Sequence, residues 1–213
     1  MSHRLTSEVI ADEAQLSALL GEPIALVKAK VATKLNRHTR EWILRSPFLC
    51  LATASKDGAC DVSPRGDPRG FVRILDDVTL LVPERPGNRL ADSLRNVLSN
   101  PRVGLLFIVP GVTETLRVNG RATLTTDQSL LAPCAVEGKT PRLGLIIDVE
   151  QVYTHCSKAF IRSDFWNPAG FVTRDALPTN GEVLREVCGD ASFDAEGYDR
   201  ERAARYARRE GFY

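Results

Sequence analysis

Two periodicities divide the chain. Up to about residue 45 the apolar positions recur at helical spacing. Ser7 is placed to cap a helix over Glu8 to Leu20 with Gly21 as its stop, and a second helix is predicted from about Ile24 through Leu44, with Val27, Val31, Leu35 and Trp42 on its inner face. Pro47 ends this arm. From Phe48 onward the pattern shortens to apolar runs broken by turn signals: Phe48 to Ala54, the Lys56-Asp57-Gly58 turn, Ala59 to Ser63, Phe71 to Leu75, the Asp76-Asp77 turn and Val78 to Val82. Leu90, Leu94, Val97 and Leu98 then form a helical stripe within Arg89 to Ser99. Pro101 separates it from a strand over Val103 to Val109, and Pro110-Gly111 turns the chain into the alternating run Thr115 to Thr125. A helical turn over Asp127 to Ala132, a long strand from Arg142 to about Thr154 and a short helix from Ser157 to Phe165 follow.

Six or more short strands with few long helices predict a mainly β fold with flanking helices, an α+β arrangement around a closed or partly closed antiparallel barrel, because closure removes exposed strand edges. The division that follows is an N-terminal helical arm over 1–45, a barrel over 46–166 and a peripheral segment over 167–213. In that last segment the pattern is weak until Glu182 to Val187 and an Arg-rich helical tail. At 213 residues, one main core is the default.

Composition narrows the class without naming a partner. Hydrophobic residues make up 43% and charged residues 26%, with a formal net charge of +1, so the chain reads as folded and not as a cationic nucleic-acid binder. The tail YDRERAARYARREGFY mixes its arginines with Asp199, Glu201 and Glu210 and reads as a solvated helix. Acids interrupt the N-terminus where a signal peptide needs an apolar core, and no apolar run approaches the ~18 residues of a membrane span, so a cytoplasmic protein is expected. Cys50, Cys60, Cys134, Cys156 and Cys188 are odd in number and lack a CxxC, which favours packing thiols over a disulfide framework or a zinc site. Neither a metal-ligand cluster nor a Rossmann glycine fingerprint is present.

The chemistry gathers in two loops. Pro83-Glu84-Arg85-Pro86-Gly87-Asn88-Arg89 joins a strand to the helical stripe. With Gly87 or Asn88 as the cap, Arg89 lies in the first turn, where free N–H groups and the positive dipole end suit an anion and disfavour a cation. Arg85 and Arg89 are then either forks for phosphate oxygens or plain solvent-facing charges. The second loop, Asp61-Val62-Ser63-Pro64-Arg65-Gly66-Asp67-Pro68, offers the Ser63 hydroxyl, a further guanidinium in Arg65 and close backbone approach at Gly66. Two phosphate-suited loops beside neighbouring strands carry more weight than either alone. Arg65-Gly66-Asp67 also spells an adhesion tripeptide, for which chance is the simpler account.

In this order and spacing the motifs SPRGDP, RPGNR, NPRVGLLF and LRVNGRA make residues 46 to 125 resemble the pyridoxamine 5'-phosphate oxidase-like split-barrel FMN-binding flavoproteins, and more closely an uncharacterised bacterial branch of them. The stretch PRLGLIIDVEQVYTHCSKAFIRSDFWNP extends the likeness. The resemblance implies a split β-barrel of the FMN-binding type and a homodimer with FMN in each of two clefts at the subunit interface. It further implies that Ser63, Pro64, Arg65 and Gly66, with Asn88 and Arg89, grip the FMN phosphate and ribityl chain, and that Val82 and Pro83 lie near the flavin ring. Arg117 and Asn119 either face the dimer cleft or hold ordinary strand positions. Lys158 and Arg162, one helical turn apart, either cover the flavin from the partner chain or are surface charges.

His155 and Cys156 make a poor nucleophile and base, because adjacent residues on a strand point to opposite faces. Cys156 is assigned to packing. Pyridoxamine-phosphate oxidases carry a C-terminal Arg-x-His element, whereas the only histidines here are His3, His38 and His155, so vitamin B6 oxidation is not expected. The resemblance implies an FMN-dependent oxidoreductase acting on an unidentified small molecule, with NAD(P)H as a candidate electron donor over the flavin and no identified acid or base. The alternative is a non-catalytic flavin or haem binder on the same barrel. An oligonucleotide-binding barrel is a third reading, weakened because no stretch interleaves aromatic with basic residues.

Overall fold

The computed structural model describes residues 9–213. The Ser7 cap falls outside them. Helix α1, Glu13–Leu20, starts instead at Asp12, whose carboxylate accepts the Gln15 N–H at 2.8 Å, and it stops at Gly21 with φ +73°. The single second helix is corrected to two, α2 (Ala25–Ala29) and α3 (Arg37–Arg45). Ala32 pairs with Val152 as an isolated β-bridge, and Asn36 with Thr39 forms a reciprocal capping box that starts α3 afresh. Leu35 is buried and Trp42 packs on the core, but Val27 and Val31 stay exposed.

Strands β1 (Phe48–Ala54), β2 (Cys60–Gly66), β3 (Arg73–Ile74) and β4 (Thr79–Pro83) precede α4 (Asp92–Ser99). Strands β5 (Arg102–Ile108), β6 (Thr115–Thr125) and β7 (Gly144–His155) follow it, with α5 (Gln128–Leu131) between the last two. All seven strands lie in one antiparallel sheet of order β2-β1-β5-β6-β7-β4-β3. Period-two alternation sends Leu49 and Leu51, Val103, Leu105 and Phe107, Leu116 and Val118, and Leu145 and Ile147 into a single core, joined by Leu80 and Val82. Ile43 of α3 and Val97 of α4 close it. Because one core draws on strands from both ends of the order while β2 and β3 remain end strands, the sheet wraps without closing, as a split barrel does. Where β6 meets β7 the register shifts at Asn119/Gly120, and a Cβ on Gly120 would lie 2.1 Å from the Asp148 carbonyl oxygen, so glycine is required there.

Beyond β7 come α6 (Lys158–Arg162), α7 (Asn180–Cys188) and α8 (Ala195–Ala207). The Arg-rich tail is indeed helical. The chain after it is not merely peripheral, however: the Tyr213 hydroxyl donates to Asp67 Oδ1 at 2.8 Å, and Arg209 pairs with Glu137 at 3.0 Å. The cysteine expectation also needs correction, since only Cys134 is buried, beside Leu81 and Leu131, while Cys60, Cys156 and Cys188 are exposed free thiols. No described helix is long and apolar enough to cross a membrane.

Candidate functional site

The end of β2, the loop after β4 and the start of α4 enclose a groove of about 530 Å³. β2 has a neighbour on one side only, so its alternate side chains Ser63 and Arg65 are free to point together into this groove. The β4 pairing runs through Pro83 to the Glu84 N–H, which donates to the Leu143 carbonyl at 2.9 Å, Pro86 has no N–H to extend it, and the Asn88 carboxamide oxygen accepts the Leu90 N–H at 3.0 Å. Arg89 and Ala91 then take left-handed conformations, with φ +66° and +58°.

Those two residues move the helix start. α4 begins at Asp92, so the expectation that Arg89 occupies its first turn is corrected: left-handed backbone at 89 and 91 cannot continue a right-handed helix. The stripe is corrected with it, because Leu94 and Val97 pack inward while Leu90 and Leu98 are exposed. Ala91 has no side chain to cap the helix. The first-turn N–H groups of α4, which lines the groove through Asp92, Ser93 and Leu94, therefore present a positive dipole end to it.

Arg65 is the centre of the groove. Its Nη1 pairs with Glu84, its Nη2 donates to Ser93 Oγ at 2.5 Å, and its Nε is buried without a partner. Ser63 Oγ is buried and unpartnered as well. Burial pushes the Glu84 carboxyl above its ordinary 4.5, against the pull of Arg65. Arg85 turns out to be neither a phosphate fork nor a solvent-facing charge. Its Nε donates to Asp67 Oδ2 at 2.6 Å, its Nη2 donates to the Cys134 carbonyl at 2.7 Å, and its guanidinium lies 5.1 Å from the centre of the Tyr213 ring. The Asp67 side chain is only 2% exposed, so this ion pair is a buried clamp that fixes the loop. Arg89 stays exposed at the groove's rim.

Of the residues singled out in the sequence, Ser63, Pro64, Arg65, Gly66, Pro83, Asn88 and Arg89 line this one groove. Val82 does not. It is 1% exposed and belongs to the core beneath Pro83. Arg117 donates to the Tyr153 hydroxyl at 3.0 Å, and Asn119 donates to Gln151 Oε1 at 3.0 Å, both between β6 and β7 and away from the groove within one chain. Lys158 and Arg162 sit at the ends of α6, also outside it. Burial first, then Arg117 and Lys30, pushes the His155 pKa below its ordinary 6.5, while its neighbour Cys156 is exposed, which overturns the assignment of that thiol to packing.

Sequence reasoning missed Glu84, Ser93, Asp67 and Tyr213. Glu84 follows the strand end and precedes Arg85, but its partner is Arg65, 19 positions away, and no local pattern announces that pair. Tyr213 lies 146 positions from Asp67, and nothing local announces their contact.

Taken together, two orphaned buried polar atoms, Ser63 Oγ and Arg65 Nε, and a helix start without a side-chain cap form a donor set suited to an oxyanion such as a phosphate. Fold and groove thus define a split-barrel protein with a polar groove beside an end strand. The pyridoxamine 5'-phosphate oxidase family model matches residues 35–156, more than half of the chain, and the chain belongs to that family. No curated protein matches it. Among solved structures it is similar to HupZ from Group A Streptococcus, with 18% identity, 56% of this chain and 93% of that chain covered, and a TM-score of 0.47. A putative pyridoxamine 5'-phosphate oxidase from Lactobacillus delbrueckii is 22% identical over 57% of this chain and 95% of its own, with a TM-score of 0.44. HutZ, the heme storage protein from Vibrio cholerae, is 15% identical over 57% and 94%, with a TM-score of 0.40.

Proposed function

We propose that the chain is an FMN-dependent oxidoreductase acting on an unidentified small molecule, and that the groove between β2 and α4 holds the FMN phosphate. The observation that carries this reading is the pair of buried, unpartnered polar atoms, Ser63 Oγ and Arg65 Nε, beside the uncapped start of α4. In this reading the free Nε of Arg65, the Ser63 hydroxyl, the first N–H groups of α4 and the Arg89 guanidinium at the rim bind phosphate oxygens, and Asn88 holds the adjoining ribityl end. Pro64, Gly66 and Pro83 form the wall. FMN supplies hydride and electron transfer when bound, with NAD(P)H as the proposed donor. The chain's own residues bind it, orient it and set the charge around it.

Homodimerisation belongs to the same proposal. α1 and α2 bury no residue, and Leu19, Leu20 and Leu26 are 70%, 73% and 75% exposed, a surface suited to a second copy. Arg117, Asn119, Lys158 and Arg162 would then face the cleft of that copy. The haem alternative would need an iron ligand from outside this groove, whose lining has no His, Cys, Met or Tyr.

The absorption spectrum of the purified protein, repeated after anaerobic addition of NADH and of NADPH, tests this. A flavin spectrum bleached by either nicotinamide is expected. A Soret band, or a flavin that neither donor reduces, would favour the non-catalytic alternative. Arg89→Ala removes one charge-assisted donor and is expected to weaken FMN binding by roughly 10- to 150-fold, equivalent to about 1.5 to 3 kcal/mol. Riboflavin, which lacks the phosphate, should be little affected, and Arg65→Lys should act in the same direction as Arg89→Ala while keeping a charge beside Glu84. Equal losses for both flavins would place Arg89 at the ring or in the fold.

A further inference from the structure

A second cavity, of about 570 Å³, adjoins the phosphate end of the groove and shares Gly66, Asp67 and the loop Arg85–Asn88 with it. Its far wall comes from α8 and the chain after it, beyond the residues that match the family model. The charges on that wall are unevenly satisfied. Asp67 is held by Arg85 and Tyr213, and Glu210 pairs with Arg208 at 2.9 Å. Arg202 and Arg205 make no ion pair among the described residues, and Arg205 Nε is buried with no acceptor at all. Asp199, one turn before Arg202, is itself engaged by the Gly181 N–H at 3.0 Å.

A buried guanidinium N–H without an acceptor is costly unless an acceptor arrives. In the last turn of α8 the Arg205 charge is favourably placed for the helix dipole, yet no protein oxygen accepts from its Nε, which leaves that donor available to a ligand. Arg205 is joined by Arg202, which lies 4.7 Å from the centre of the Tyr206 ring. Tyr206 and Phe212 line the same cavity with 49% and 37% of their surface exposed. Two guanidiniums suit adjacent phosphates, and exposed rings suit a stacked base, worth about 1 to 3 kcal/mol in nucleic-acid complexes. The volume lies within the usual ~300 to 1,000 Å³ of a small-molecule site.

We propose that this cavity is a nucleoside-diphosphate subsite, in which Arg205 and Arg202 bind the diphosphate and Tyr206 with Phe212 takes the base. It rests on the preceding reading only for what the diphosphate is attached to. A flavin dinucleotide whose chain continues past the phosphate end and a nicotinamide dinucleotide present the same chemistry.

ADP titrated calorimetrically into the full chain, without flavin, probes the subsite directly. Saturable binding is expected, weakened roughly 10- to 150-fold in Arg205→Ala and less in Arg205→Lys. FMN affinity should be unchanged in both variants, which also reports that they fold. Wild-type protein that binds FAD more tightly than FMN, with the advantage lost in Arg205→Ala, assigns the diphosphate to the flavin. A loss confined to NADH binding by the FMN-loaded protein assigns it to the donor. Absence of saturable ADP binding, or equal ADP affinity in Arg205→Ala, overturns the proposal. ADP binding that depends on Arg205 in a protein that takes no FMN would leave the subsite standing and remove the cofactor reading instead.

Discussion

The N-terminal arm and the segment after Pro168 flank the same barrel, and they are attached to it in opposite ways. α3 is anchored in the core through Ile43, but α1 and α2 bury no residue and carry a long series of exposed aliphatic side chains, and just after them the chain meets the sheet through the Ala32–Val152 bridge and a Lys30 Nζ bond to the Thr154 carbonyl at 3.0 Å. The C-terminal segment presents arginines and aromatic rings, and it is tied down by directed contacts: Tyr213 to Asp67, Arg209 to Glu137, and Lys139 to the Tyr213 carbonyl at 3.3 Å. An apolar arm is stabilised by area and takes whatever surface covers it. A polar segment is stabilised by geometry and can sit in one place only, here against the loop that lines the groove.

The widest gap between them should appear in assembly. With a second copy covering the arm, Leu19→Lys combined with Leu26→Gln loses about 1.5 to 3 kcal/mol per leucine, enough to raise the dimer dissociation constant by more than about 100-fold in sedimentation experiments. An arm that is free in solution would tolerate both changes within about 0.5 kcal/mol and leave the molecular mass unaltered. Asp67→Ala probes the other side. It strands the buried Arg85 guanidinium and should cost about 3 to 5 kcal/mol in urea denaturation. A smaller change is expected for Tyr213→Phe, which removes one bond to a carboxylate, about 1.5 kcal/mol, and should speed hydrogen exchange in α8 while leaving β5 and β6 protected.

The smallest effect is one of pH. Because burial raises the Glu84 pKa in the fold, its contribution to stability is fully present below its ordinary 4.5 and is lost as the pH rises through the raised value. Glu84→Gln should therefore flatten the stability profile just above pH 4.5. An unchanged profile would mean that another carboxyl governs that window.

What the sequence revealed follows the same division between area and geometry. The bounds of β1 and β6 were readable from alternation and flanking turns, because both strands are half-buried and bounded by local breakers such as Gly58 and Pro110-Gly111. The second helix was misread as continuous because helical spacing in the arm is not interrupted where a long-range β-bridge and the Asn36–Thr39 capping box interrupt the backbone. Both groove-lining loops were visible from their Gly, Pro and Arg content. The orientation of Arg85 was not, since it is fixed by Asp67, by the Cys134 carbonyl and by Tyr213, partners spread over most of the chain. The predicted helix starts about one turn too early, at Arg89 instead of Asp92, because left-handed backbone at a non-glycine residue leaves no mark in composition.

The Arg65–Glu84 pair has one more consequence, for selectivity. Glu84 occupies part of the guanidinium that the proposed phosphate would need, so under that reading it acts as an internal competitor. The apparent affinity of any anion is reduced by the fraction of molecules in which Glu84 is seated, and that reduction is the same for all of them. Singly charged ions of the medium, with little affinity to spare, would then be held below occupancy, whereas a dianion that also engages Ser63 and the start of α4 would exceed the threshold.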